Sequence, residues 1–465
     1  MLSKIFNPLS LLGDKQQLGE LPQAKEIFKS TVTVAWPAVL ESFLVSIVAM
    51  VDNIMVSSLG TYAIAAVGLT TQPKFIFFAI LISMNVAVSA LVARRRGAND
   101  RKGANDVVRQ SIIIALIIIA VITVLSTTFA EPLLRFCGAQ DDTIGPASEY
   151  YRIIMGCSVF QLLSMTLNAA QRGVGKTKIA MTTNMISNVV NVVFNYLLIG
   201  GKFGFPALGI KGAAIATVLG TFAAFCISLA SVFRKDGYLH ISLMKGKLFD
   251  TGIIKSIVHV TSGTLAEQLF ARFGFLTFAM IVANLGTEAY ATHQIAMNCM
   301  HISFSFGDGF SVAAVALVGM QLGAKRSDLA RIYGYACKRL GRIFAIVLSL
   351  MFFFGGRYFY MLFNAEPSMI DTGSIIIKIL AVILFFQIDQ VITSGCLKGA
   401  GDTKFVAKVA FISIAIIRPL AAYSFCYAIG WGLIGAWIGT LCDQLCRNVL
   451  NDRRFKSGKW TEIKI

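Results

Sequence analysis

Charge is scarce in this 465-residue sequence. Only 14% of the residues are Asp, Glu, Lys or Arg, where soluble globular proteins carry about 25%. A soluble fold would have too little charge to cover its surface. Intrinsic disorder is excluded as well, because it needs low hydrophobicity and 56% of this chain is hydrophobic. Acidic residues are the scarcest charges, 24 against 42 Lys and Arg, for a net charge of +18. Alternating apolar segments of the barrel type are missing, since the apolar runs are continuous and long. There is no C-x-x-C and no H-E-x-x-H, and of nine cysteines only Cys137 lies outside an apolar run. Neither a disulfide framework nor a metal site is expected. The first 30 residues are polar, with Lys4, Lys15, Lys25 and Lys29 dispersed and no small-residue cleavage site, so no signal peptide is expected.

What the chain has is apolar length, with mean hydropathy +0.71. Twelve apolar runs recur at about 32–58, 63–93, 108–131, 147–170, 178–199, 210–233, 254–283, 288–322, 332–355, 373–397, 405–428 and 432–450. Each is long enough to cross about 30 Å of hydrocarbon. The sequence predicts an all-α integral membrane protein with twelve transmembrane helices. With the N-terminus inside, the inner segments hold 33 Lys and Arg and the outer ones 4 (Arg135, Lys202, Lys211 and Arg357). That asymmetry places both termini in the cytoplasm. It also reads the positive charge as a topology and anionic-lipid signal rather than a nucleic-acid footprint.

The sequence aligns with itself at an offset of 226 residues. Glu41 meets Glu267, Leu59-Gly60-Thr61 meets Leu285-Gly286-Thr287, and Gly97-Ala98 meets Gly323-Ala324. Phe160-Gln161 meets Phe386-Gln387, and Gly173, Gly175, Thr177 and Lys178 meet Gly399, Gly401, Thr403 and Lys404. The offset later shortens by three, so that Gly209 and Thr217 match Gly432 and Thr440. Six helices per repeat make two parallel, pseudo-symmetric bundles, an arrangement suited to alternating access. The expected divisions are a cytoplasmic segment 1–31, an N-terminal lobe 32–233, a linker 234–253, a C-terminal lobe 254–450 and a basic tail 451–465.

Gly175-Lys176-Thr177 imitates the end of a P-loop. The first glycine of that motif would fall at Ala170, and a membrane helix precedes it instead of a strand. A tight cytoplasmic turn is the expected form, and no nucleotide site. Further motifs are Val51-Asp52-Asn53-Ile54-Met55, Ala291-Thr292-His293-Gln294-Ile295-Ala296-Met297-Asn298 and Leu317-Val318-Gly319-Met320-Gln321-Leu322-Gly323-Ala324. The turns read Gln171-Arg172-Gly173-Val174-Gly175-Lys176-Thr177-Lys178 and Leu397-Lys398-Gly399-Ala400-Gly401-Asp402-Thr403-Lys404. Together they resemble the multidrug and toxic compound extrusion (MATE) family over residues 30–450. The resemblance implies a secondary antiporter that exports organic cations and drugs in exchange for H⁺ or Na⁺, with no other cofactor. A flippase for a lipid-linked or other bulky substrate is the alternative.

Carboxylates inside membrane helices cost at least about 2.5–3.5 kcal/mol on insertion scales and mark function by default. Six stand out: Glu41, Asp52, Glu267, Asp308, Asp389 and Asp443. Asn184, Asn188, Asn191 and Asn195 place four amides on one face of the fifth helix, the outer two near the depth of Asp52. Resemblance to DinF-like members puts Asp52, Asn191, Asn195 and Thr217 at a coupling site, with Asn195 where a second acid would stand. A hydrogen-bonded packing cluster is the other reading. NorM-like members carry acids on the seventh and tenth helices, which points to Glu267 and Asp389. Glu267 falls about one turn early, and Gln387 lies nearest the usual acid position. Glu267 and Asp389 have depths that would let them face each other, or each could form a salt bridge with Arg272 or Arg418. As repeat partners, Glu41 and Glu267, with Gln161 and Gln387, are expected to line an anionic substrate cleft; a packing contact of Glu41 with a neighbouring Lys or Arg is the other reading. No role is assigned to Asp308 or Asp443, and His293 and His301 read as packing residues. The expected partners are small organic cations and membrane lipids, and the expected state is a monomer in the cell membrane.

Overall fold

The structure, a computed structural model, describes residues 6–13, 16–141, 143–234, 237–240, 249–362, 367–463 and 465. All regular structure among them is helical. Residues 235–236 and 241–248, half of the expected linker, lie outside the described residues, as do Lys4 and Lys15. The long helices are α1 (Ala24–Ser57), α2 (Thr61–Gly97), α3 (Arg101–Thr128), α4 (Ile144–Gly156 and Ser158–Gly173, bent by 46°), α5 (Thr177–Ile199) and α6 (Gly209–Phe233). They continue as α7 (Thr251–Ala283), α8 (Thr287–Gly323), α9 (Ser327–Leu362), α10 (Pro367–Gly399), α11 (Thr403–Ala428) and α12 (Gly432–Ser457).

Among the described residues nine of these helices are long and apolar enough to cross a membrane, and the bent pair of α4 makes ten. The two that fall short are α5 and α12. Their deficit is chemical: α5 carries four asparagines, and α12 carries Asp443, Arg447, Asp452, Arg453, Arg454 and Lys456. In α11, π-helical turns at Phe411–Ile417 and Ser424–Ala428 flank Arg418-Pro419. Proline supplies no N–H and crowds the carbonyl four residues back, and a widened turn absorbs both effects.

The chain divides into two compact units, Leu40–Val258 and the residues up to Val39 together with His259–Ile465. The expected boundaries at 32 and 254 are thereby shifted, because the first half of α1 groups with the C-terminal residues. The change falls just past Pro37, which lies inside α1. In the first unit α2 packs on α3 and α4, and α6 on α4 and α5. In the second unit α10 is central, packed against α8, α9 and α12. The segment read as a polar cytoplasmic arm is folded onto this second unit. Phe6, Leu11 and Leu12 are buried. The Leu18 N–H donates to Asp328 at 3.1 Å, and Arg326 donates to the Glu20 carbonyl at 2.9 Å. Leu11 and Leu12 lie in a short helix, Pro8–Leu12, too brief to register against the polar background.

The internal repeat recurs as geometry. Gly60 and Gly286 have φ of +106° and +105°, and Gly175 and Gly401 of +81° and +85°. Asn99 and Lys325, which are not glycines, both enter the left-handed region at +56° and +58°. Helix crossings repeat too. A Cβ on Gly173 would stand 2.6 Å from the Ser89 carbonyl oxygen, and one on Gly399 would stand 2.6 Å from that of Val315. A backbone oxygen cannot swing aside, so Gly399→Ala forces the two helices apart. We expect it to cost about 1–3 kcal/mol in thermal unfolding of the detergent-solubilised protein. Gly68→Ala, in α2 with nothing within 4 Å of its Cβ, should be neutral or stabilising.

Candidate functional site

In the first unit α1 and α5 carry two acids and four amides in register. Asn184 donates to Glu41 at 2.6 Å, and Asn195 donates to Asp52 at 2.8 Å. The acids lie eleven residues apart, and so do their amides, so the two helices run parallel over this stretch. Eleven residues are close to three helical turns, which keeps both contacts on one face. The outer acid, Asp52, is half-buried among amides. With the Asn191 amide nitrogen turned toward the carboxylate, it donates to Asp52 at 2.7 and 3.1 Å while its oxygen accepts from the Thr217 hydroxyl at 3.2 Å. Asn191 and Asn195 are buried, and Asn195 Oδ1 has no partner among the described residues. Asp52, Asn191, Asn195 and Thr217 are thus brought together. They surround one carboxylate with oxygen and amide groups that suit either a proton or a small hard cation. One turn along, an apolar cavity of about 260 Å³ lies between α1 and α5, lined by Leu44, Val48, Met185 and Asn188 among others.

The inner acid, Glu41, accepts a second bond, from Arg172 at 2.8 Å. In the second unit Lys398 Nζ lies 2.8–2.9 Å from the Glu267 carboxylate oxygens. Glu41 and Glu267 are repeat partners, and Arg172 and Lys398 are separated by the same 226 residues, so one ion pair occurs twice. These acids do not act as free anions, because each is neutralised in place. Gln161 is half-buried, and Gln387 is fully buried with neither amide atom bonded among the described residues.

Glu267 and Asp389 do not face each other. Asp389 is gripped from another side, by Arg342 at 2.7 Å, Asn448 at 3.0 Å and Lys338 at 3.4 Å, and Lys338 also reaches Asp452 at 2.7 Å. The reason is helical phase. Asp389 and Lys398 are nine residues apart on α10, two and a half turns, so they point to opposite faces. Among the described residues the ion pairs of Glu267 and Asp389 are with Lys398, Arg342 and Lys338, and not with Arg272 or Arg418. Lys338, counted by sequence among the inner-loop cations, is a fully buried residue of α9. Arg418 instead donates to Asp443 through Nε at 3.0 Å, and Arg447 does so at 3.0 Å, with Arg418 and Asp443 both fully buried.

Of the six membrane acids, Asp52 and Asp308 make no ion pair among the described residues. The counterpart of Asp52 at the repeat offset is Phe278. It packs edge-on against His293, with ring centroids 5.3 Å apart, and against Trp437 at 6.3 Å. His293 therefore packs in an aromatic cluster. Among the described residues the Asp52 site therefore has no counterpart at the repeat offset in the second unit. Sequence reading allowed a Lys or Arg beside Glu41 and Glu267 without identifying it, although Arg172 and Lys398 stood at the repeat offset.

The MatE family profile matches residues 37–197 and 264–424, one block in each half. The chain is 30% identical over 443 residues to a probable multidrug resistance protein NorM of Thermotoga maritima, covering 94% of both chains. It is 27% identical over 399 residues to the multidrug resistance protein MdtK of Yersinia enterocolitica, covering 85% of this chain and 87% of the relative. An outward-facing multidrug resistance MATE transporter of the MOP superfamily superposes with TM-score 0.87 at 21% identity, covering 97% and 98% of the two chains. Two matching halves and twelve long helices agree with those likenesses: the chain belongs to the MATE family of membrane transporters.

Proposed function

We propose that this protein exports organic cations and drugs across the cell membrane in exchange for H⁺ or Na⁺, with Asp52 as the coupling carboxylate. The observation that carries this reading is the state of Asp52. It is a membrane-depth acid without an ion pair among the described residues, held by two asparagine amides. A proton or one monovalent cation cancels the carboxylate's own charge, and the carboxylate then loses its demand for a polar surrounding. Asn191, Asn195 and Thr217 serve as ligands or as hydrogen-bonding partners of the neutral acid. Glu41, Glu267 and Asp389 act as paired charges that hold helices together, and Gln161 and Gln387 contribute polar groups. The excess of Lys and Arg in the inner segments supports cytoplasmic termini, the matched halves support alternating access, and the working unit is a monomer.

The test is energetic. In cells stripped of their own pumps, collapse of both the H⁺ and Na⁺ gradients with ATP retained should stop dye efflux. Collapse of one gradient at a time then identifies the ion. Efflux that persists on ATP alone would overturn the reading.

A further inference from the structure

Asp308 lies midway along α8, and its side chain is exposed. A carboxylate there cannot face hydrocarbon at tolerable cost, so the surface it occupies is wet. Its electrostatic neighbours are Lys398 of α10 and Glu267 of α7. Those two already satisfy each other, so the group of three carries one uncompensated negative charge. The charge belongs to a broader surface. His301, Phe304, Ser305 and Asp308 are spaced by three, one and three residues, which sets them on a single face of α8. His301 is exposed, and Phe304 and Ser305 are half-buried. Phe304 stands one turn from Asp308, with the His301 ring 6.4 Å from its own. An acid beside an aromatic ring within a membrane helix suits a flat cation, which gains both the charge contact and the ring face.

We propose that Asp308 anchors the positive charge of lipophilic aromatic cations on the second unit, with Phe304 supplying the ring contact and the Glu267–Lys398 pair keeping the neighbouring acid out of competition. This assignment rests on the exporter reading above and adds a substrate-binding residue separate from the coupling site at Asp52.

The experiment measures equilibrium binding of ethidium, a flat aromatic cation, and of Nile red, a neutral dye, to the purified full-length transporter in detergent. Asp308→Asn should weaken ethidium binding by about tenfold or more and leave Nile red binding unchanged, while Asp308→Glu should stay close to wild type. Lys398→Met in the Asp308→Asn background should recover ethidium binding, because it uncovers Glu267. That rescue is not expected of a residue that only packs. Wild-type ethidium affinity in Asp308→Asn, or equal loss of both dyes, overturns the assignment while leaving export of cations intact as a reading. If the wild-type protein neither binds nor exports ethidium and other lipophilic cations, the exporter reading fails and takes this assignment with it.

Discussion

Asp52→Asn should abolish uphill accumulation of a cationic drug in proteoliposomes while leaving drug counterflow measurable. The amide is nearly isosteric with the carboxylate, and Asn195, Asn191 and Thr217 offer both donors and acceptors to receive it. The fold should therefore survive, and melting temperatures should differ little. What is lost is a charge that an ion can cancel. An amide is neutral at any pH and in any Na⁺ concentration, so a gradient has nothing to act on. Substrate can still equilibrate, because the substitution leaves the rest of the membrane acids in place. Asn195→Asp is the converse change. It sets a second acid within reach of the first, and two carboxylates sharing a site cannot both ionise freely. Its transport should follow pH differently from wild type. Wild-type uphill accumulation by Asp52→Asn would reduce Asp52 to a packing residue and leave the coupling ion without a site in the first unit.

The largest loss of stability should come from Asp443→Asn. Asp443 sits fully buried between Arg418 and Arg447, and Arg418 also lies over the Phe275 ring at 4.6 Å. Neutralising the acid strands two guanidinium groups inside the helix bundle. Breaking a buried pair by removing one partner costs about 3–5 kcal/mol. Arg418→Met should cost less, because Arg447 still balances Asp443 and the thioether can occupy the space beside Phe275. The double variant should be more stable than Asp443→Asn alone, as expected for neighbours in one network. Thermal unfolding in detergent gives the order directly. Equal melting temperatures for wild type and Asp443→Asn would mean that the pair contributes nothing to stability.

Much of this was readable from the sequence, and the parts that were not have physical causes. Continuous apolar length identified the helices, because each must cross the same thickness of hydrocarbon. The repeat was visible because glycines at close helix crossings admit no substitute, and Gly173 and Gly399 keep the same carbonyl contact in both halves. Asp52 and its amides were legible as a group because the four asparagines recur at helical spacing on one face and the outer two share the depth of Asp52. The partners of Asp389 were hidden. Arg342 and Lys338 are forty-seven or more residues away in sequence, on a helix whose phase relative to α10 no periodicity discloses. Glu267 and Asp389 have compatible depths, but depth says nothing about azimuth. The packing of the N-terminal segment was hidden for a different reason, since a few buried side chains do not alter the composition of a thirty-residue segment.

The matched eleven-residue steps on α1 and α5 limit how this protein can change over time. One residue inserted between Glu41 and Asp52 would rotate everything beyond it by about 100°. Asp52 would then swing off the amide face while Glu41 kept its grip on Asn184. Point substitutions in the intervening turns leave the phase untouched, so side chains there are free to drift. Length is not free to drift in either helix alone. A viable insertion in α1 would need a compensating one between Asn184 and Asn195, which makes the distance between these residues a more heritable character than the residues between them.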